Sequence, residues 1–317
     1  MTDAQPTLLS PRVLFPFALV TMIWGSTWIV ITGQLGVVPP SWSVTYRFTV
    51  AAAAMFVFAV LRREKLVPDA RALGFAALLG IAQFTFNFNF VYRAEQHITS
   101  GLVAVLFALL IVPNTLFGRA FLKTPLERRF LAGAGIAIVG VAMMIVHEYR
   151  AAALGPAAVV TGTAFTLAGV LSASIANVMQ GTRFARAQSM TVMIAWAMLF
   201  GALADGAYAW ITTGPPVIET RFVYLAGVLY LGVIASAVTF PLYFGVIRAV
   251  GPGQAAWSSV LIPIIAMGFS TVFEAYRWAP LSIIGGAVTL VGLVIAVAKR
   301  PERPSLSGNM VSVPVED

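Results

Sequence analysis

The 317-residue chain is 59% hydrophobic and only 10% charged, with a mean hydropathy of +0.89, a formal charge of +8 and no cysteine. A soluble domain holds roughly a quarter charged residues, so this composition excludes an ordinary soluble enzyme, and the missing cysteines exclude disulfides, thiolate metal sites and thiol nucleophiles. His97 and His147 cannot form a metal cluster alone, and the basic residues lie in connectors, where they read as orientation signals rather than as a nucleic-acid surface.

In chain order, ten apolar stretches of about twenty residues predict transmembrane helices. They are Val13–Thr32, Trp42–Leu61, Leu73–Tyr92, Ile98–Gly118, Phe130–Val146, Pro156–Val178, Met190–Trp210, Tyr224–Ile247, Gln254–Phe273 and Pro280–Ala298. A helix rising about 1.5 Å per residue crosses the roughly 30 Å hydrocarbon layer over that length. The connectors are too short for a catalytic soluble domain. Phe84–Phe90 alternates like a strand, but it lies within a continuous apolar span, whereas barrel strands alternate throughout; helix is the expectation.

Placing both termini in the cytoplasm leaves fifteen Lys and Arg on the inner side and four, Arg93, Arg150, Arg221 and Arg277, on the outer, with Arg47 inside a span. The positive-inside rule selects that orientation. Trp42, Trp210 and Trp278 then fall at outer span ends, as an interfacial aromatic belt would. The first span is too long for a signal-peptide core and is expected to stay uncleaved. Residues 301–317 lack apolar periodicity and read as disordered.

The chain also resembles itself. Gly133–Gly140 in the fifth span matches Gly285–Gly292 in the tenth, 152 residues on, and Pro113 in the fourth span matches Pro263 in the ninth, 150 residues on. A duplicated unit of five spans must enter the membrane upside down, as inverted-repeat transporters do. The glycines also read simply as close-packing positions. The predicted organisation is a cytoplasmic arm over 1–12, a first five-helix repeat over 13–150, an inverted second repeat over 151–298 and a disordered cytoplasmic tail over 299–317.

Met22-Ile-Trp-Gly-Ser-Thr-Trp28 in the first span resembles the tryptophan–glycine–serine signature of the drug/metabolite transporter superfamily, in its ten-helix EamA-like branch. Tyr46-Arg47-Phe48 is similar to that family's arginine, and Phe273-Glu274 resembles its acidic residue before the last helix. The resemblance covers roughly residues 13–298 and comes closest to bacterial exporters of amino acids, aromatic ones included. It implies an all-α integral membrane protein, ten transmembrane helices as two inverted five-helix repeats around a central cavity that opens alternately to either side. Leu122 stands in the first repeat where Glu274 stands in the second, so any role of that acid is one-sided.

Candidate cavity residues follow from polarity, depth and helical facing. Trp24 and Trp28 lie one turn apart on one face of the first span, with Ser26 between them and Gly25 leaving room for close approach or bending. Trp28 equally suits plain packing. Gln83 and Asn87 are an i, i+4 pair deep in the third span, and such carboxamides need a partner from protein, water or solute. Asn89 faces the other way, towards a neighbouring helix. Ser236, Thr239 and Tyr243 form a polar stripe in the eighth span, though hydroxyls can also satisfy their own helix; Ser258 begins a similar patch in the ninth. Pro113, Pro241 and Pro263 mark hinges.

Charge within spans is scarce. Arg47, about five residues inside the second span, either snorkels outward, holds the bundle by an ion pair or attracts a carboxylate. Asp205, about five residues from the outer end of the seventh, is an interfacial acid or part of a proton path. No acid is placed near the midplane, so the expectation is a facilitator or exchanger rather than a proton-coupled pump. A cavity with no central fixed charge suits zwitterionic amino acids; a multidrug carrier of lipophilic cations is the alternative, and a passive channel a weaker one. Hydrolase, zincin and phosphate-loop motifs are absent from the sequence. The expectations are therefore no enzyme, no cofactor and no metal. The partners are the lipid bilayer and a small solute, with no nucleic acid and no obligate protein partner, and the location is the bacterial cytoplasmic membrane.

Overall fold

The computed structural model describes residues 8–123, 126–151, 154–250 and 257–297. The tail 299–317, most of the N-terminal arm and the start of the ninth predicted span at Gln254 lie outside these residues. Nine described helices are long and apolar enough to cross a membrane: α1 Pro11–Thr32, α2 Pro40–Leu61, α3 Ala70–Ala94, α4 Ser100–Leu122, α5 Arg128–Ala151, α6 Pro156–Gln180, α7 Met190–Thr213, α8 Phe222–Tyr243 and α10 Pro280–Val297. A shorter apolar helix, α9 Ser258–Phe273, stands between α8 and α10. The alternating stretch around Phe84 is helical.

The starts of these helices follow from their first residues. Proline opens α1, α2, α6 and α10, where its missing N–H is no loss. Asp69 accepts the Ala72 N–H at 2.7 Å to start α3, and Ser189 accepts the Val192 N–H at 3.3 Å to start α7.

The two halves of the chain pair helix for helix. On the α5–α10 seam a Cβ at Gly140 would come 2.5 Å from the Gly285 carbonyl, and one at Gly292 would come 2.6 Å from the Gly133 carbonyl. Backbone meets backbone there, and the residue numbers run in opposite senses. In α2 and α7 Trp42 donates to the Gly214 carbonyl, while Phe56 meets Trp196, again antiparallel. Gly101 of α4 faces Met267 and Ser270 of α9. Each self-paired couple is a helix and its counterpart five spans on. The remaining contacts come in matching sets: α3 packs on α6 and α7, and α8 packs on α1 and α2. This is the packing of two inverted five-helix repeats.

Sequence periodicity did not foretell how α3 and α8 are wound. Each contains a widened, π-helical segment, Ile81–Phe86 in α3 and Tyr230–Val238 in α8, at matching places in the two repeats. In α8 the Ser236 and Thr239 hydroxyls donate to carbonyls five residues back, Leu231 and Ile234, in register with the wide turn. Pro241 follows at once and supplies no N–H to its own preceding turn. In α3 the Ala82 carbonyl accepts the Ser172 hydroxyl of α6 at 2.8 Å. Of the predicted hinges, Pro113 follows a 3-10 turn at Ala108–Leu110, whereas Pro263 sits within continuous helix. Trp42 corrects the belt expectation: it is 6% exposed in the α2–α7 interface, while Trp210 and Trp278 are exposed.

Candidate transport site

The candidate residues of α1, α3, α8 and α9 fall into two groups. Trp24, half-buried, donates through Nε1 to the Ala235 carbonyl at 3.1 Å, and its ring lies 4.9 Å from Tyr243 and 5.5 Å from Phe240. Tyr243 shares a hydrogen bond with Ser258. Ser26 meets the Tyr230 hydroxyl at 2.6 Å. Gly25 brings α9 close, since a Cβ there would lie 2.5 Å from Ile265. Trp28 meets the Phe107 ring of α4 at a tilt, its indole nitrogen buried without an acceptor. Thr239 is occupied by its own helix, as a membrane threonine often is.

Aromatic contacts link this group to a second one deeper in the first repeat. Phe240 meets Phe84, Phe84 meets Phe48, and Phe48 meets Phe88, each pair with ring centroids 4.8 to 6.1 Å apart. The chain of rings ends on Arg47, whose Cζ lies 4.3 Å from the Phe88 centroid and 5.2 Å from that of Phe48. The guanidinium is 2% exposed. Its Nη2 donates to Ser236 at a long 3.4 Å, and Nε and Nη1 have no acceptor among the described residues. No carboxylate there lies within ion-pair distance, so neither snorkelling nor an ion pair describes Arg47. On α3, Gln83 Oε1 and Asn87 Oδ1 are buried with no donor. The interior thus holds a cation lacking an anion and two acceptors lacking a donor.

Sequence reasoning read Asp205 as an interfacial acid or part of a proton path and placed no acid near the midplane; the structure buries Asp205 within the helix bundle. Helix α7 runs on to Thr213, its final threonines bonded to the Tyr208 and Ala209 carbonyls, so Asp205 lies only about 5 Å along the axis from the helix middle. The residue is fully buried and accepts from Asn89 at 2.5 Å. Asn89 in turn accepts from Ser41 at 2.7 Å, and Arg93 donates to Ser41 and Tyr208. Asn89 reaches a neighbouring helix as its facing predicted.

Two further polar residues, Gln34 and Glu95, were missed because they sit beyond the apolar windows. Tyr92 donates to Gln34 at 2.7 Å, and Thr32 donates to Glu95 at 2.9 Å. Glu95, just past α3, is 7% exposed; burial holds its carboxyl well above the usual range, the Thr32 hydroxyl opposes that, and Glu274 adds to it. Polar residues in a connector only five residues long, between two membrane helices, were the available signal. A concavity lined by Lys65, Asp69, Gln188 and Met193 lies away from all these residues, where α2–α3 and α6–α7 connect.

With that geometry in place, comparison with known proteins is informative. The profile of the EamA-like transporter family matches residues 12–146 and again 160–298. The chain belongs to the EamA-like transporter family. It is similar to the inner membrane transporter YedA of Escherichia coli, 30% identical over 287 residues, 86% of this chain and 88% of that one. It is also similar to PagO of Salmonella typhimurium, 24% identical over 90% of this chain and 92% of that one. A third relative from Salmonella typhimurium, 24% identical over 88% of this chain and 92% of its own, is named "Probable amino-acid metabolite efflux pump". A solved crystal structure shares the fold, with a TM-score of 0.64, 22% identity and coverage of 89% and 95% of the two chains.

This EamA-family chain carries one asymmetric feature between its repeats. Glu274, at the end of α9, accepts the Ser100 N–H at 3.1 Å and the Ser100 hydroxyl at 2.5 Å, capping the start of α4. A carboxylate there also meets the positive end of the helix dipole. The first half of α4 packs on α9, and the second half, Ile111–Leu122, packs on α6 instead. Leu122, the counterpart of Glu274, lies against Gly181. The α4–α9 pair is therefore latched at the end that carries the α3–α4 and α9–α10 connections. Glu274→Ala is expected to loosen that end, a charged cap being worth about 1–2 kcal/mol, or roughly 5- to 30-fold in population. In this cysteine-free chain, labelling of Val103→Cys by a polar maleimide should accelerate by that factor when Glu274 is also replaced.

Proposed function

We propose that the chain exports small, net-neutral metabolites, amino acids foremost, by alternating access across a bacterial cytoplasmic membrane, with both termini inside. The two five-helix units, 13–150 and 151–298, move against each other, and the residues between them contact the solute. The observation that carries the reading is the unpaired set in the interior. Arg47 suits a carboxylate, Gln83 Oε1 and Asn87 Oδ1 suit an ammonium, and the line of rings from Phe88 to Trp24 suits an apolar side chain. A buried cation disfavours lipophilic cations, which weighs against the multidrug alternative. The named efflux relative points to the same solute class.

The test is counterflow of labelled amino acids into proteoliposomes holding the full chain, with a cationic dye in a parallel arm. Saturable, stereoselective amino-acid flux supports the reading; dye flux without it, or non-saturating flux, overturns it. Gln83→Ala is expected to raise the half-saturation concentration about 2- to 12-fold, the worth of one hydrogen bond of about 0.5–1.5 kcal/mol, with little change in maximal rate. Trp24→Ala should do likewise for aromatic solutes.

A further inference from the structure

Asp205 is used by no step of that cycle, yet its surroundings are unusual. One oxygen accepts from Asn89, and the other, Oδ2, is buried with no donor. The charged and titratable groups at this level on the helices packed against α7 are Tyr46 and Arg47 on α2 and Tyr92 and Arg93 on α3. Glu95 lies just beyond α3, and Tyr208 on α7 itself. None of the cations forms an ion pair with Asp205, the ion pairs among the described residues being Arg62 with Glu64 and Arg221 with Glu219. Arg93, the nearest by connectivity, donates to Ser41 and Tyr208 instead. An ionised carboxylate buried without a cation costs several kcal/mol. A neutral carboxylic acid fits the same place, keeping the Asn89 bond on its carbonyl oxygen.

We propose that Asp205 is a proton-binding site that links the transport cycle to the proton gradient. While α2, α3 and α7 are packed together the carboxyl keeps its proton. When the cycle parts them and water enters, the O–H bond breaks, the proton leaves to water as hydronium, and the carboxylate is hydrated. Reprotonation from water on the other side restores the neutral acid before the helices close. One proton is bound and one released, and no other reactant is needed.

This inference rests on the transport reading for its role in the cycle but not for the proton itself, so two measurements separate them. In wild-type protein in lipid, infrared difference spectra across a pH titration should show the carbonyl stretch of a protonated carboxylic acid. Asp205→Asn, which keeps the acceptor for Asn89, should remove it. A folded wild type without that band at neutral pH, or a band unchanged in Asp205→Asn, overturns the site. In proteoliposomes an imposed pH gradient should change amino-acid accumulation at least about tenfold in wild type. Asp205→Asn should retain counterflow yet ignore the gradient. A variant that still responds to the gradient, or a wild type that exchanges solute indifferently to it, overturns the coupling. If the band behaves as expected while no amino acid moves, the proton site stands and the solute assignment fails.

Discussion

Replacing Arg47 with glutamine should reduce saturable amino-acid flux about 30- to 1,000-fold in kcat/KM while leaving the thermal midpoint of the purified protein unchanged or higher. The two halves of that expectation have one cause. A charge-assisted contact to a buried carboxylate, when truncated, costs about 2–4 kcal/mol of binding, and each 1.4 kcal/mol is a factor of ten. A structural ion pair would behave differently, because removing its cation orphans an acid and destabilises the fold by several kcal/mol. Arg47 has no such acidic partner among the described residues; it is held by two aromatic faces, the Tyr92 hydroxyl and a long contact to Ser236. Counterflow and thermal-shift measurements on the same variant decide the matter. A large fall in the midpoint with normal affinity would return Arg47 to a structural role.

The largest effect on the fold is expected on the α5–α10 seam. Gly140→Leu and Gly292→Leu each place side-chain carbons where opposing backbone carbonyls lie at 2.5 to 2.6 Å from the first atom alone. Neither a rotamer change nor a neighbour's side chain can relieve a clash with a carbonyl, so the helices must separate. Small residues hold membrane helices together by close approach, and overpacking alone costs about 1–3 kcal/mol at an ordinary core position. Each variant should therefore lose most of its monodisperse peak in fluorescence-detected size exclusion. Gly135→Leu, where a Cβ meets nothing within 4 Å, should run like wild type. Equal behaviour of Gly140→Leu and Gly135→Leu would mean that the seam does not hold the repeats together.

What was legible in advance was whatever depends on sustained polarity. Twenty-residue apolar runs report the lipid thickness directly, so nine of the ten expected spans appear as membrane-length helices among the described residues and the other as the shorter α9. The inverted repeat was readable from the matching spacing of Gly133–Gly140 with Gly285–Gly292 and of Pro113 with Pro263; that the glycine blocks meet one another across α5 and α10 is what the structure adds. Helix ends were less legible. Threonines at 212 and 213 bond their own backbone and extend α7 past its apolar window, which puts Asp205 nearer the helix middle than the window implied. Glu95 and Gln34 were hidden for the same reason, being polar residues in connectors that the fold draws inward. The widened turns of α3 and α8 leave no trace in a 3.6-residue pattern, because one added residue shifts the phase without changing composition. Among the site residues, the sequence identified polarity and depth in Gln83, Asn87 and Ser236. It could not say that Thr239 is engaged by its own helix while Gln83 and Asn87 keep free acceptors, since that is a property of the packed neighbours.

In the proposed cycle, the carboxylate cap at one end of α4 and the leucine at the other make the molecule lopsided in time rather than in direction. A difference in dwell cannot by itself accumulate solute, for at equilibrium forward and reverse fluxes balance whatever the relative occupancies. What it dictates is which reorientation is slow. The expected hallmark is unequal half-saturation from the two faces of the membrane, and removing the Glu274 carboxylate should bring those two values together.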